Sequence, residues 1–170
     1  MRNGFTLVEI LMAILIVGIL VAMAVPMYEK TIEKSRIAEA RSTLKRIHEA
    51  KRRVLDMQDT DTYSTLNFGF ENLDFTFDCS HGTSTENNHV VACNTKDFTF
   101  VLNPAGASNQ NAVCAARRTG DNRGVNLLYK GEDEVDADVR FLCNDGNVTG
   151  ASCDAFGLTS VGTTVWCTPN

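Results

Sequence analysis

The sequence predicts an α+β protein in which a long N-terminal α-helix packs its distal half against an antiparallel β-sheet. Three observations support this fold class. A helical pattern runs almost without interruption from Leu7 to Met57, alternating apolar and polar residues begin after Asp59, and all six cysteines fall in the second part. The 170 residues are enough for one modest globular domain and one additional element.

The first half of the predicted helix has the length and polarity of a membrane-spanning segment. Residues 10–25 carry no charge, and with Phe5 to Glu9 in front the stretch approaches the ~20 residues that cross a bilayer. Pro26 lacks the N–H that a helix interior uses, so we expect a kink or a loosened turn there. Glu9 is the unexpected residue, because a carboxylate in lipid is costly and commonly marks a functional position.

Three interpretations of this segment compete. In a cleaved secretory signal peptide, residues 22–24 (Ala-Met-Ala) would supply the cleavage site, but the positive flank is a single residue, Arg2, and Glu9 interrupts the apolar run. A plain signal anchor explains the hydropathy and leaves Glu9 without a role. The third interpretation gives Glu9 a partner in an assembly, and it depends on the N-terminal motif described below.

The second half of the helix is amphipathic and basic. Apolar residues recur at three- and four-residue steps, with Lys51 filling a gap in the stripe: Ile37, Ala40, Leu44, Ile47 and Val54. Residues 29–53 hold nine Lys/Arg and four Asp/Glu, a net charge of +5, whereas residues 54–170 hold six and sixteen, a net charge of −10. The acidic second part argues against nucleic acid as a partner. A helix of about 50 residues would be roughly 75 Å long, so half of it must be buried in something other than this chain.

Alternating segments after Asp59 predict the strands of the sheet, and turn-rich segments predict the loops. The predicted strands are LDFTFDC (73–79), KDFTFVLN (96–103), VNLLYK (125–130), DVRFLC (138–143) and TTVWC (163–167). The predicted loops are SHGTSTENN (80–88), NPAGASNQN (103–111), TGDNRG (119–124) and GEDEVDAD (131–138).

The six cysteines predict a head that is cross-linked by three disulfides in an oxidising compartment. Reduced, buried thiols in a cytosolic domain are the less favoured alternative. Six cysteines allow fifteen pairings, and sequence alone does not select one. The positions of the predicted loops favour Cys79–Cys93 and Cys143–Cys153, which leaves Cys114 with Cys167.

Motifs that would carry chemistry in the second part are weak. A zinc site is disfavoured because the spacing of its candidate ligands does not fit the common pairs: Cys79, His81, His89 and Cys93. The five carboxylates of residues 131–138 lack the order of an EF-hand calcium loop. His48 falls on the basic half of the helix, where we expect it on the surface. The sequence has no G-x-S-x-G, phosphate-loop or H-E-x-x-H motif, so we expect neither an enzyme nor a bound metal or cofactor.

The stretch Gly4-Phe5-Thr6-Leu7-Val8-Glu9, followed by an apolar run, resembles the processing site of the type IV pilin and pseudopilin family. Three further residues stand where pilins of that family commonly have them: Gly18, Pro26 and Tyr28. The resemblance covers residues 2–28 and extends as a helical pattern to about residue 57. It implies that a membrane-bound prepilin peptidase cuts after Gly4 and that Phe5, the new first residue, is N-methylated.

The resemblance also implies a pilin-like fold and a division of the chain into four parts. These are a leader peptide, a membrane and filament-core helix, an amphipathic helix half and a disulfide-bonded β head: residues 1–4, 5–28, 29–57 and 58–170. The precursor would lie in the inner membrane, and an inner-membrane assembly platform would transfer it into a helical homo-oligomer. That filament would be an extracellular pilus or a periplasmic pseudopilus.

Cleavage would place the amine of Phe5 four residues before Glu9. A buried carboxylate and a buried ammonium are each costly unless they pair, so a neighbouring subunit in the wrong register would leave both unpaired. We therefore expect Glu9 to set the register of assembly. The sequence predicts a structural subunit of a type IV pilus-like filament. A pseudopilin of a type II secretion system and a membrane-anchored binding or enzymatic domain that never polymerises are the alternatives.

Overall fold

The structure, a computed structural model, describes residues 6–58, 69–80, 82–86, 89–102, 112–119, 125–129, 141–144, 153, 158 and 167. Its first element is the α-helix α1, Leu7–Gln58, and a short 3₁₀ turn follows at Phe70–Asn72. Six strands come next: β1 Thr83–Glu86, β2 His89–Asn94, β3 Phe98–Val101, β4 Val113–Arg117, β5 Asn126–Tyr129 and β6 Phe141–Asn144.

The six strands form one antiparallel sheet in the order β1-β2-β3-β4-β5-β6. Each strand therefore pairs with its neighbours in sequence, as short connections favour. The register pairs Phe100 with Ala115 across β3 and β4, and Leu127 with Cys143 across β5 and β6. The predicted α+β class, one long helix followed by an antiparallel sheet, is confirmed.

The chain divides into two compact units, Met1–Ser35 and Arg36–Asn170. In the second unit the predicted apolar stripe of α1 forms one wall of the hydrophobic core. Four of its residues are buried: Ile37, Ala40, Leu44 and Ile47. They share this core with side chains of the sheet, which include Phe98, Phe100, Val113, Leu127 and Tyr129.

Two polar residues of α1 also lie in this core. The Nζ of Lys51 is fully buried and donates hydrogen bonds to the backbone oxygens of Leu102, at 2.8 Å, and Ala112, at 3.4 Å. These carbonyls flank β3 and β4, so the ammonium is satisfied where the stripe lacks an apolar residue. The surface position predicted for His48 is wrong, because its ring is buried and packs edge-on against Tyr129 with 5.2 Å between ring centroids.

The segment 73–79, predicted as a strand, is not part of the sheet. Its alternation is nevertheless real, since Leu73 is buried, Phe75 and Phe77 are half-buried, and the residues between them are exposed. The aromatic rings pack on the core, with 5.2 Å between the centroids of Phe77 and Phe100. The alternation arises because one side of this segment is buried. The segment does not pair with a strand through backbone hydrogen bonds.

Three of the strands that the structure describes were not predicted. β1 is polar and lies inside the predicted loop 80–88. β4 shows no alternation, because all five of its residues are buried and a strand covered on both faces loses the two-residue period. β2 begins with half-buried residues and ends with three buried ones, so its pattern is also not alternating.

The remaining predictions have mixed outcomes. The segments 96–103 and 125–130 contain β3 and β5, and the segment 138–143 contains all of β6 except its last residue, Asn144. Cys167 is the one described residue of the predicted strand 163–167, and it is not in a strand. The loops predicted at 103–111 and 131–138 lie outside the described residues, as does the loop at 119–124 apart from Thr119.

Candidate functional site

Thr6 and Glu9 form a reciprocal cap at the start of α1. The backbone N–H and the hydroxyl of Thr6 both donate to Oε2 of Glu9, at 2.9 and 2.7 Å. In return, the backbone N–H of Glu9 donates to the hydroxyl of Thr6 at 3.3 Å. This is a capping box, in which two backbone N–H groups without helical partners are satisfied by side chains. Glu9 is therefore the helix-capping carboxylate of its own chain.

The sequence holds the signal for this cap, although the prediction did not use it. Thr-x-x-Glu directly before an apolar run is the pattern of a capping box, and residues 6–9 match it. Thr6 is thus a capping residue that the prediction did not single out. Gly4 and Phe5, the predicted cleavage and methylation positions, lie outside the described residues.

The surface that follows Glu9 is apolar and exposed on every side. All side chains from Thr6 to Lys30 are exposed, and between Ile10 and Tyr28 none carries a charge. α1 is long and apolar enough to cross a membrane. An apolar surface of this extent needs lipid or other apolar surfaces around it.

Pro26 lies inside α1, which continues through it to Gln58. The kink expected at this position stays a prediction. One turn later the hydroxyl of Thr31 donates to the backbone oxygen of Met27 at 2.9 Å, a side-chain bond of the kind that accompanies bending in helices. A proline and a threonine bonded four residues back thus lie within the same short stretch of α1.

The structure pairs all six cysteines. The pairs are Cys79–Cys93, Cys114–Cys167 and Cys143–Cys153, with Cα–Cα distances of 5.1, 6.2 and 5.9 Å. They are the same pairs that the loop positions favoured. Cys79 is tied to β2, Cys153 to β6, and Cys167 to β4. Each bridge therefore holds a non-strand segment against the sheet.

The structure brings no metal-binding cluster together among the residues it describes. Cys79 and Cys93, two candidate zinc ligands, are joined to each other. His89 instead contacts Glu71, with 2.7 Å between Nδ1 and Oε1. His81 and residues 131–138, the remaining candidates for zinc and calcium, lie outside the described residues.

A charged cluster joins α1 to the sheet at the turn between β2 and β3. The guanidinium of Arg117 is fully buried and donates to the carboxylate of Asp97 at 2.7 Å and to its backbone oxygen at 2.9 Å. Arg36 of α1 lies 3.9 Å from the same carboxylate. Partial burial alone would raise the pKa of Asp97, but the hydrogen bond and charge of Arg117, with the charge of Arg36 and a bond from Thr119, lower it below its ordinary value of 3.8.

Comparison with known proteins identifies a known motif at the N-terminus of the chain. The prokaryotic N-terminal methylation motif matches residues 1–25. The chain is also 33% identical over 69 residues to the type IV major pilin protein PilA of Myxococcus xanthus (strain DK1622). The resemblance to the type IV pilin family is confirmed. The match spans 41% of this chain and 31% of the length of that relative. No solved structure matches the chain.

The methylation motif covers the same part of the chain as the helix cap and the exposed apolar surface. The matched residues contain the Thr6–Glu9 cap and most of the exposed apolar surface of α1. A prepilin-type N-terminus of this kind fits a membrane-anchored precursor. The predicted methylation motif, apolar N-terminal helix and disulfide-forming cysteines agree with these findings.

Proposed function

We propose that this protein is the structural subunit of a type IV pilus-like filament. A prepilin peptidase cuts the precursor after Gly4, Phe5 is N-methylated, and an inner-membrane platform assembles the mature chains through α1. The observation that carries the proposal is the methylation motif at residues 1–25 on a helix whose apolar surface is exposed all round. No enzymatic role is proposed for the head.

Two different environments cover the exposed helix, one before and one after assembly. Before assembly, lipid surrounds residues 10–28, because these residues are uncharged and about as long as a bilayer is thick. In the filament, the same surface packs against other copies of α1. Glu9 lies at the start of this surface, and its pairing with the amine of a neighbouring Phe5 makes one register more favourable than the others.

The cleavage step is tested by changing Gly4. In Gly4→Leu, we expect the bulky side chain to block the peptidase, so that the uncut precursor accumulates in the membrane. Gly18→Ala is the matched control, since a Cβ at Gly18 meets nothing within 4 Å. Mass spectrometry of the N-terminus reads the result. Normal maturation of Gly4→Leu would overturn the prepilin interpretation, and a cut after Ala24 would support a secretory signal instead.

A pseudopilin shares this N-terminus, so a second experiment is needed to separate the two kinds of filament. Electron micrographs of cells with and without the protein should show surface filaments that depend on it. A normal set of surface filaments together with a secretion defect in the deletion strain would favour the pseudopilin alternative. A methylated N-terminus with neither phenotype would favour a membrane-anchored domain that does not polymerise.

A further inference from the structure

The uncharged part of α1 is bounded by a charged residue at each end. Glu9 precedes it and Glu29 and Lys30 follow it. At 1.5 Å per residue, Glu9 and Lys30 are about 32 Å apart along the helix, which is close to the ~30 Å thickness of a bilayer's hydrocarbon core. When the apolar residues fill that core, Lys30 lies at the opposite membrane surface from Glu9.

Lys30 and Lys34 are one turn apart and therefore on one face of α1. Both side chains are exposed, and neither forms an ion pair with a residue that the structure describes. Around the helix axis, Glu29 lies about 100° from Lys30, and Glu33 lies about 60° from Lys30 on the same side. The two ammonium groups thus point together into the layer just outside the apolar residues.

Three cations later in α1 belong to the second unit and contact other residues of that unit. Arg36 lies close to the carboxylate of Asp97. The guanidinium of Arg46 lies over the ring of Phe75. Arg53 forms a bidentate ion pair with Asp74. A role in folding of the head accounts for these three residues. Such contacts do not account for Lys30 and Lys34, which lie in the first unit.

The distribution of charge around the apolar segment is an independent observation. One Lys/Arg residue, Arg2, precedes this segment, and four follow it closely: Lys30, Lys34, Arg36 and Arg41. Positive flanks normally stay on the cytoplasmic side. A head held together by disulfides belongs on the opposite, oxidising side, and a domain of this length is translocated largely regardless of flanking charge, so these cations lie at the membrane surface on the head side.

We propose that Lys30 and Lys34 bind the anionic headgroups of phospholipids on the head side of the membrane. Tyr28, which is exposed and adjoins them in sequence, lies in the same layer, where tyrosine side chains are enriched. The contact sets the depth of the helix and holds its N-terminus at the other surface before assembly. This inference rests on the membrane-inserted stage of the proposed function and not on filament formation.

Native mass spectrometry of the full chain in non-ionic detergent tests the proposal. Phosphatidylglycerol or phosphatidylcholine is added, and the lipid retained by the monomer is counted. The wild-type protein should retain phosphatidylglycerol preferentially. Each lysine near a lipid surface contributes about fivefold, so Lys30→Gln with Lys34→Gln should lower that preference roughly 25-fold.

Two matched controls separate a specific pair from diffuse charge. Lys30→Arg with Lys34→Arg keeps the charges and should keep the preference. Lys45→Gln removes an exposed cation of α1 that lies 3.8 Å from Glu49, and it should also keep the preference. Retention of phosphatidylglycerol by the double glutamine variant, or an equal loss in Lys45→Gln, would overturn the proposal.

Two alternative binding partners, inorganic phosphate and a second copy of the chain, would give different results. Competition by inorganic phosphate at equal concentration would show a general phosphate site and overturn the lipid assignment. Unchanged lipid retention with fewer dimers in the double glutamine variant would assign the pair to a second copy. Lipid retention is measured whether or not the chain is cleaved or polymerises, so failure here is distinguishable from failure of the filament proposal.

Discussion

At the scale of single residues, the carboxylate of Glu9 caps its own helix and is also proposed to pair with a neighbouring amine. Among the described contacts, its Oε2 accepts both bonds from Thr6. A carboxylate has about four sites for hydrogen bonds, so the cap leaves room for an ammonium group. The two roles are therefore compatible, and they are separable by substitution.

Glu9→Gln should keep the cap and lose the ion pair, because glutamine serves equally in a capping box. We expect the variant to be cleaved and inserted normally, with filament incorporation strongly reduced. Thr6→Val is the matched change, since it removes the capping hydroxyl and keeps the charge of Glu9. Counting subunits in sheared filaments by immunoblotting measures both. Equal losses in the two variants would assign the effect to the cap and contradict the register hypothesis.

Lys51 is a second residue whose role depends on an unusual position. Its buried ammonium joins α1 to the carbonyls of Leu102 and Ala112. Lys51→Met keeps an apolar side chain in place of the aliphatic part of lysine but removes the donor to two carbonyls. We therefore expect the free energy of unfolding to fall by about 1–3 kcal/mol. Chemical denaturation of the full chain in detergent measures this. Lys45→Met, at an exposed position, should change stability by no more than about 0.5 kcal/mol.

At the scale of elements, side chains rather than a strand ladder hold the segment 69–80. The carboxylate of Glu71 accepts a bond from the backbone N–H of Val90 at 3.1 Å, and Arg53 of α1 pairs with Asp74. Gly69 permits this docking, because a Cβ there would lie 2.5 Å from the nitrogen of Val90 and 2.7 Å from its oxygen. Because Gly69 has no side chain, this segment can pass close beside β2.

Gly69→Ala should therefore destabilise the head. Backbone atoms of β2 cannot move aside easily, and overpacking of this kind costs about 1–3 kcal/mol. Gly18→Ala is the control, since its Cβ meets open space. Denaturation followed by near-ultraviolet circular dichroism measures the packing of Phe70 and Phe77. An unchanged midpoint for Gly69→Ala would show that the segment can shift at little cost.

The turn between β2 and β3 makes part of the stability depend on pH. The pKa of Asp97 is lowered in the folded head, so the folded state favours the ionised carboxylate. This contribution is present above about pH 4, the ordinary pKa of aspartate, and is lost as the pH falls through the lower folded value. Asp97→Asn should lower stability at pH 7 and make it less sensitive to acid. Unfolding free energies at pH 7 and pH 3 test this, and an equal acid loss in both proteins would contradict it.

At the scale of the whole molecule, the disulfides differ in how much chain they close. Cys114–Cys167 spans 53 positions and Cys143–Cys153 spans 10. In the chain-entropy model these loops correspond to about 4 and about 3 kcal/mol. Replacing Cys114 and Cys167 by alanine should therefore make the head more sensitive to protease than replacing Cys143 and Cys153. Non-reducing peptide mapping checks the pairing, and a linked Cys114–Cys143 peptide would contradict it.

The backbone of Cys167 is also bound to the sheet, since its N–H donates to the side chain of Asn126 at 3.2 Å. After removal of the longer bridge, this hydrogen bond to Asn126 still attaches Cys167 to the sheet. We expect the loss of stability in the head alone. The N-terminal half of α1 should still insert into the membrane, because its apolar residues depend on lipid and not on the sheet.

Local signals in the sequence were sufficient for the helix and for its N-terminus. The periodicity of α1 predicted its buried stripe, since a continuous helix places residues three and four apart on one face. The stretch at residues 4–9 predicted the match to the methylation motif, because that motif is a short contiguous stretch of sequence. The Thr6–Glu9 cap could have been predicted in the same way, as its two residues are three positions apart.

The sequence by itself thus determined the apolar helix, the basic and acidic division of the chain, the prepilin-type start and the class of the fold. Tertiary structure alone decided that residues 73–79 stay outside the sheet, that polar β1 joins it, and that Lys51 and His48 are buried. The physical reason is that strand pairing and buried polar contacts join residues far apart in the chain. Lys51 is satisfied by a carbonyl 51 positions away, and no local pattern records such a partner.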